Sequence, residues 1–176
     1  EYDPATVYSF IDRRGRYAYG NQPNILQWNL ARLAETLLPL IDADEGQAIE
    51  RATASLQGVS ARIDRHWLAG FQRKLGLSVH EDGDRALMTD LLAIMHAEAA
   101  DFTNTFRALA DVAADDDALP GPFVAWTHRW RARLAREPGG VASCIATMQR
   151  TNPAYVPRNH RIEECIEAAV QDGDFG

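Results

Sequence analysis

His96-Ala97-Glu98 has the spacing with which a zinc deaminase binds metal through the imidazole and moves protons on the carboxylate. No Pro-Cys-x-x-Cys partner follows, and a zinc site needs three or four convergent ligands, so a helix histidine at the solvent edge is the expectation. Asp42, Asp44 and Glu50 gather acids as a calcium loop does, yet the spacing and glycine position of an EF-hand are missing. Those acids, and Glu81-Asp82-Gly83-Asp84, suit the positive ends of helices instead. Asp174-Phe175-Gly176 spells the magnesium-binding tripeptide of protein kinases but follows no Gly-rich loop, strand lysine or His-Arg-Asp.

Arg129, Arg133 and Arg136 recur at helical spacing beside Trp126 and Trp130, a combination that can grip phosphate or single-stranded nucleic acid. The tryptophans share the apolar stripe and the arginines lie off it, so a solvated helix face is expected. A non-catalytic helical interaction module, binding a partner through residues 126–136, is the alternative function this face offers. Cys144 and Cys165 could pair or act as redox switches; both fall in helical patterns, where a free cysteine is expected as a small buried hydrophobe. Residue chemistry alone gives no catalytic, cofactor-binding or metal-binding residue in the chain.

The elements that position these groups are helical. Pro23 suits the first position of a helix, and Leu26, Leu30, Leu33, Leu37 and Leu40 recur at steps of three and four, predicting one buried stripe flanked by Ile25 and Trp28. Pro39 is expected to end or kink that helix. Leu56, Val59, Ile63, Trp67, Phe71 and Leu75 carry a second stripe, with Gly58 a break and Gly76 a stop. From Leu87 to Leu109 the pattern predicts two helices, then a solvated loop around Asp115-Asp116-Asp117 and Pro120-Gly121-Pro122. Phe123, Trp126, Trp130 and Leu134 share a face of the next helix, and Val141 to Gln149 forms another, broken by Thr151-Asn152-Pro153. Arg158 to Val170 is expected to bury Ile162, Cys165, Ile166 and Ala169. Ahead of all these, Val7-Tyr8-Ser9-Phe10 and Arg16-Tyr17-Ala18-Tyr19 predict either a short hairpin about Arg13-Arg14-Gly15 or an irregular loop. The chain is thus all-α, with an aromatic loop over residues 1–22 and one helical domain over 23–176.

With 176 residues, 46% of them apolar, the chain can bury about 70% of its unfolded surface in one domain. Two cysteines are too few for a disulfide scaffold and point to a reducing compartment. No run approaches the roughly 18 apolar residues of a membrane span, and Glu1-Tyr2-Asp3-Pro4 resembles no signal peptide, so a cytoplasmic protein without a membrane partner is expected. A net charge of −7 repels nucleic acid as well as anionic lipid. The start without Met suggests a piece of a longer protein.

The stretch Ile11 to Leu40, IDRRGRYAYGNQPNILQWNLARLAETLLPL, closely resembles the selenoprotein O family, also called the YdiU family. Further matches follow in order: RKLGL at 73–77, HEDGD at 80–84, DFTNTFRAL at 101–109 and NPAYVPRNHRIEECIEAA at 152–169. That family is similar in fold to protein kinases, and the resemblance implies a bacterial protein adenylyltransferase, which moves AMP from ATP to hydroxyl side chains of proteins. It also implies that this chain is the helical C-terminal lobe from the activation segment onward, plus a C-terminal helical extension. The family's nucleotide and metal ligands would lie ahead of Glu1, so ATP and magnesium or manganese would belong to the parent enzyme, and the chain alone is expected to be inactive. Tyr17, Tyr19, Asn21 and Gln22 would lie on the segment that leads from the active site into a central helix containing Trp28 and Asn29. Their implied roles are loop packing or contact with protein substrates. Apolar surface left bare without the upstream half is expected to drive self-association.

Overall fold

The leucine and aromatic periodicities of the sequence all become helices in the computed structural model, which describes residues 1–115 and 119–175. The helices are α1 (Gln22–Ile41), α2 (Glu45–Gln57), α3 (Val59–Lys74), α4 (Asp84–Ala97), α5 (Phe102–Asp115), α6 (Phe123–Leu134), α7 (Gly140–Thr151) and α8 (Asn159–Glu167). A 3-10 turn, Tyr19–Asn21, leads into α1, and α8 runs on into a π turn, Ala168–Asp172. Among the described residues there is no strand, so the chain is all-α. Asp116, Asp117 and Gly176, which belong to the expected acidic loop and to the terminal tripeptide, lie outside the described residues.

Helices α3 to α7 enclose the core. Phe71, Leu75, Leu91, Met95, Phe106, Leu109, Trp126, Trp130 and Met148 form one cluster. Trp126 and Trp130 stack with ring centroids 5.6 Å apart. Each buried indole needs a partner for its N–H, and these donate to the Leu87 carbonyl at 2.7 Å and the Leu75 carbonyl at 3.0 Å. They thereby fasten α6 to α4 and to the end of α3. Glycine punctuates the chain where the sequence places it: Gly58 separates α2 from α3, and Gly76 takes φ +79° just past α3, a region L side chains avoid.

Asn152, at the end of α7, is fully buried and ties three elements together. Its amide donates to the Lys74 carbonyl at 2.9 Å and the Phe106 carbonyl at 3.0 Å, and its Oδ1 accepts from the Lys74 ammonium at 3.3 Å. Lys74 also lies over the rings of Phe102 and Phe106, and burial pushes its ammonium below the usual range. Replacing Asn152 with Ala removes both of these side-chain donors and leaves the buried Lys74 carbonyl without one, so Asn152→Ala should cost about 2 kcal/mol in urea unfolding.

At this level the choice left open at the entry segment falls to the irregular loop, and three expectations change. Val7 to Tyr19 forms no hairpin; turns organised by the Asp12 carboxylate replace it, because Oδ1 accepts from the Arg16 N–H at 2.8 Å and Oδ2 from the Tyr17 N–H at 2.6 Å. The leucine stripe of α1 is largely uncovered, with Leu33 53% and Leu40 83% exposed, because among the described residues α2 packs closely along this helix while α3 meets it more sparsely across the groove. Ile25 is its buried residue. On α8, Ile162, Cys165 and Ile166 are exposed rather than buried, and Ala169 in the π turn is only half-buried, because among the described residues the close packing of α8 is with the turn that follows it. Arg133 is buried, not solvated, because carboxylates from the start of α4 and from Glu137, just past α6, enclose its guanidinium. Pro39 does sit in the last turn of α1, which closes at Ile41.

Candidate functional site

Two places gather polar or aromatic side chains from distant parts of the sequence: the aromatic entry segment with its groove, and the ion cluster between α4 and α6. The entry segment is held first by backbone bonds. Tyr2 N–H donates to the Ala100 carbonyl at 2.7 Å, Tyr19 N–H to Thr6 at 2.9 Å, and Gly20 N–H to Pro4 at 2.7 Å. A Cβ at Gly20 would meet the Pro4 carbonyl oxygen at 3.0 Å, so glycine permits that close approach.

The four residues singled out in the sequence divide into two roles. Asn21 Nδ2 donates to the Arg16 carbonyl at 2.7 Å and Gln22 Nε2 to the Tyr17 carbonyl at 2.6 Å, so both amides pin the preceding turn onto α1. Tyr19 packs edge-on against Tyr2, at 5.7 Å, and Phe102, at 6.1 Å. Burial first, and then the neighbouring Tyr2 and Tyr8 phenols, push the Tyr19 hydroxyl up to about 12, which keeps it neutral and unsuited to act as a base. Tyr17 is exposed beside Arg16, whose guanidinium lies 5.9 Å from its ring centroid and 4.0 Å from that of Trp28.

Behind this segment, α1 and α3 leave an open groove of about 950 Å³. Leu26, Leu30, Val59, Ile63 and Trp67 wall it, and Tyr19 and Gln22 reach its rim. The sequence missed this groove, because a helical stripe of leucines reads as a face buried by the same chain. Among the described residues no cluster of His, Cys, Asp or Glu could hold a metal ion. The groove is mainly apolar with Arg62 and His66 as its basic lining, and no carboxylate lines it to hold the divalent ion of a nucleoside triphosphate, so no step of nucleotidyl transfer is assigned to these residues.

The second place is internal. Arg133 Nε meets Asp84 Oδ1 at 2.7 Å, Nη1 meets Glu137 Oε1 at 2.8 Å, and Nη2 donates to the Val79 carbonyl at 2.5 Å. The Ser78 hydroxyl and N–H also donate to Glu137, and the Gln72 amide donates to Asp84 at 2.7 Å. Burial alone would raise the Asp84 and Glu137 carboxyls, but these donors outweigh it and hold both below the usual carboxylate range. Arg136 pairs with Glu81 and Arg129 with Asp90, so the arginine face of α6 is used within the fold. Of the face at residues 126–136, Trp126, Trp130 and Arg133 are buried, while Arg129 and Arg136 stand about half exposed in their ion pairs.

The remaining candidates stay isolated. His96 is exposed, with Nδ1 3.4 Å from the Tyr2 carbonyl oxygen. Asp44 caps α2 by accepting from the Gln47 N–H at 2.9 Å, as helix-end acids should. Cys144 is buried, and that burial pushes its thiol up. Both cysteines are free, and among the described residues no helix is long and apolar enough to cross a membrane.

Known proteins place this arrangement. A family profile described as protein adenylyltransferase SelO matches residues 1–176. The protein nucleotidyltransferase YdiU of Rhizobium etli (strain CIAT 652) is 52% identical over 184 residues, covering 99% of this chain and 37% of that protein. The protein of the same name from Cereibacter sphaeroides is 51% identical over 180 residues, and that from Halalkalibacterium halodurans 49% over 176, each covering 99% of this chain and 36% of the relative. The chain spans little more than a third of the length of these curated relatives. With its profile match running from end to end, this chain belongs to the SelO protein adenylyltransferase family.

Proposed function

We propose that this chain is the helical C-terminal portion of a protein adenylyltransferase that transfers AMP from ATP to hydroxyl side chains of proteins, and that the chain alone does not perform the transfer. The observation that carries this reading is the family match over residues 1–176, combined with coverage of only 37% of the relatives' length. Nucleotidyl transfer depends mainly on positioned charges and divalent metal around the phosphates. In this reading those groups, with ATP and magnesium or manganese, belong to the rest of the enzyme, and the present chain supplies its helical base in a cytoplasmic bacterial protein.

The exposed stripe of α1 and the groove beside α3 are the face on which the rest of the enzyme packs. Leu26, Leu33, Leu37 and Leu40 form a longer apolar surface than a monomer normally leaves in water. In the isolated chain the same face promotes self-association, which sedimentation velocity over a wide concentration range reads directly.

Labelled ATP, magnesium or manganese and a protein acceptor test the function. The full-length protein should label the acceptor and the 176-residue chain should not. Labelling by the chain alone overturns the assignment of the chemistry to the rest of the enzyme.

A further inference from the structure

We propose that the Asp12–Tyr17 turn is a docking site for an acidic peptide segment of the acceptor protein, with Arg13, Arg14 and Arg16 as its recognition groups. This deepens the adenylyltransferase reading and rests on it. The chain carries a net charge of −7, yet three arginines fall within the four positions 13 to 16. All three are exposed. Elsewhere on the surface Arg85, Arg129, Arg136 and Arg158 each meet a carboxylate. Among the described residues no carboxylate forms a salt bridge with Arg13, Arg14 or Arg16.

The one acid inside the turn, Asp12, is engaged by the backbone N–H groups of Arg16 and Tyr17. It folds the turn and leaves the guanidinium groups available. Gly15, at φ +67°, makes the reversal, while Asn21 and Gln22 fix the turn to the first turn of α1. Arg16 is further held over the Trp28 ring, its guanidinium carbon 4.0 Å from the ring centroid. A preset turn pays little ordering entropy on binding. Guanidinium groups match carboxylates with paired, charge-assisted hydrogen bonds. Phe10, 93% exposed, and Ile11 stand beside the arginines and offer apolar contact to a side chain flanking the acids.

Charge also chooses among polyanions. A long nucleic acid or a charged bilayer meets the negative field of the whole molecule, whereas a short acidic peptide meets only what lies within a screening length of about 8 Å.

Fluorescence anisotropy with the 176-residue chain tests this. The probe is a labelled peptide with six glutamates, one serine and one phenylalanine, and its control has glutamine for each glutamate. The acidic peptide should bind at least about tenfold tighter than the control and weaken with salt. Arg13→Glu with Arg14→Glu should remove that preference, and Arg13→Lys with Arg14→Lys should largely keep it, with circular dichroism confirming that helix content is unchanged. Equal binding of the two peptides, indifference to charge reversal, or tighter binding of single-stranded DNA or of anionic vesicles overturns the proposal. In the full-length enzyme, the charge-reversed pair should raise KM for an acidic acceptor with kcat unchanged. Transfer with unaltered KM sinks the docking site and leaves the adenylyltransferase reading intact. Acidic-peptide binding by a full-length protein that transfers no AMP does the reverse.

Discussion

Arg133→Met should destabilise the fold by about 3–5 kcal/mol at pH 7, a large part of the roughly 5–15 kcal/mol available to a domain. Arg133 is 3% exposed, and its partners Asp84 and Glu137 are 1% and 6% exposed. Removing it leaves two buried carboxylates with the neutral donors of Gln72, Ser78 and the backbone, and with the His80 imidazole 4.0 Å from Asp84. Both carboxyls lie below their usual values in the folded chain. A group depressed in this way contributes stability above its unfolded value, near 4, and loses it as pH falls through its folded value. The difference between wild type and Arg133→Met should therefore be full at neutral pH and shrink as pH falls through the range in which the buried carboxylates of the variant, no longer paired with a guanidinium, take up protons while those of the wild type stay ionised. Urea unfolding at several pH values reads this, and a small or pH-independent difference would contradict the role assigned to the cluster.

The second large effect depends on context. Leu26→Glu with Leu33→Glu should change the stability of the isolated chain by less than about 1 kcal/mol, because both side chains already stand about half exposed. In the full-length enzyme the same pair places two carboxylates in an apolar interface, at a cost of several kcal/mol. Loss of soluble protein or of most AMP transfer should follow. A full-length double variant with wild-type solubility and transfer would show that the stripe of α1 faces solvent there too.

How far the sequence could be read depended on whether a signal was local. Gly58, Gly76 and the Thr151-Asn152-Pro153 break act within their own turn, and the helices stop where those residues require. Arg133 was placed on a solvated face because helical periodicity measures hydrophobicity along one element, while its partner Asp84 lies 49 residues away on another. Asp84 itself reads as a helix-end charge, and nothing local marks it as buried. The leucine stripe of α1 states that a face wants cover without saying which segment provides it, so Leu33 and Leu40 emerge exposed. At the entry segment, tyrosines and glycines suggest strands, but the side chain of Asp12 competes for the backbone N–H groups a ladder would use. Tyr19, Asn21 and Gln22 were legible as a junction because the aromatic loop meets the helix start there. Their division into packing and turn-fixing roles required the fold.

Splitting the full-length protein at the start of this chain gives the most direct test of the account. The upstream portion alone and this chain alone should each fail to transfer AMP from labelled ATP to a protein acceptor. Co-expression of the two should restore transfer, and Leu26→Glu with Leu33→Glu in this chain should abolish the restoration. Transfer by this chain without the upstream portion, or undiminished transfer by the upstream portion without this chain, would contradict it.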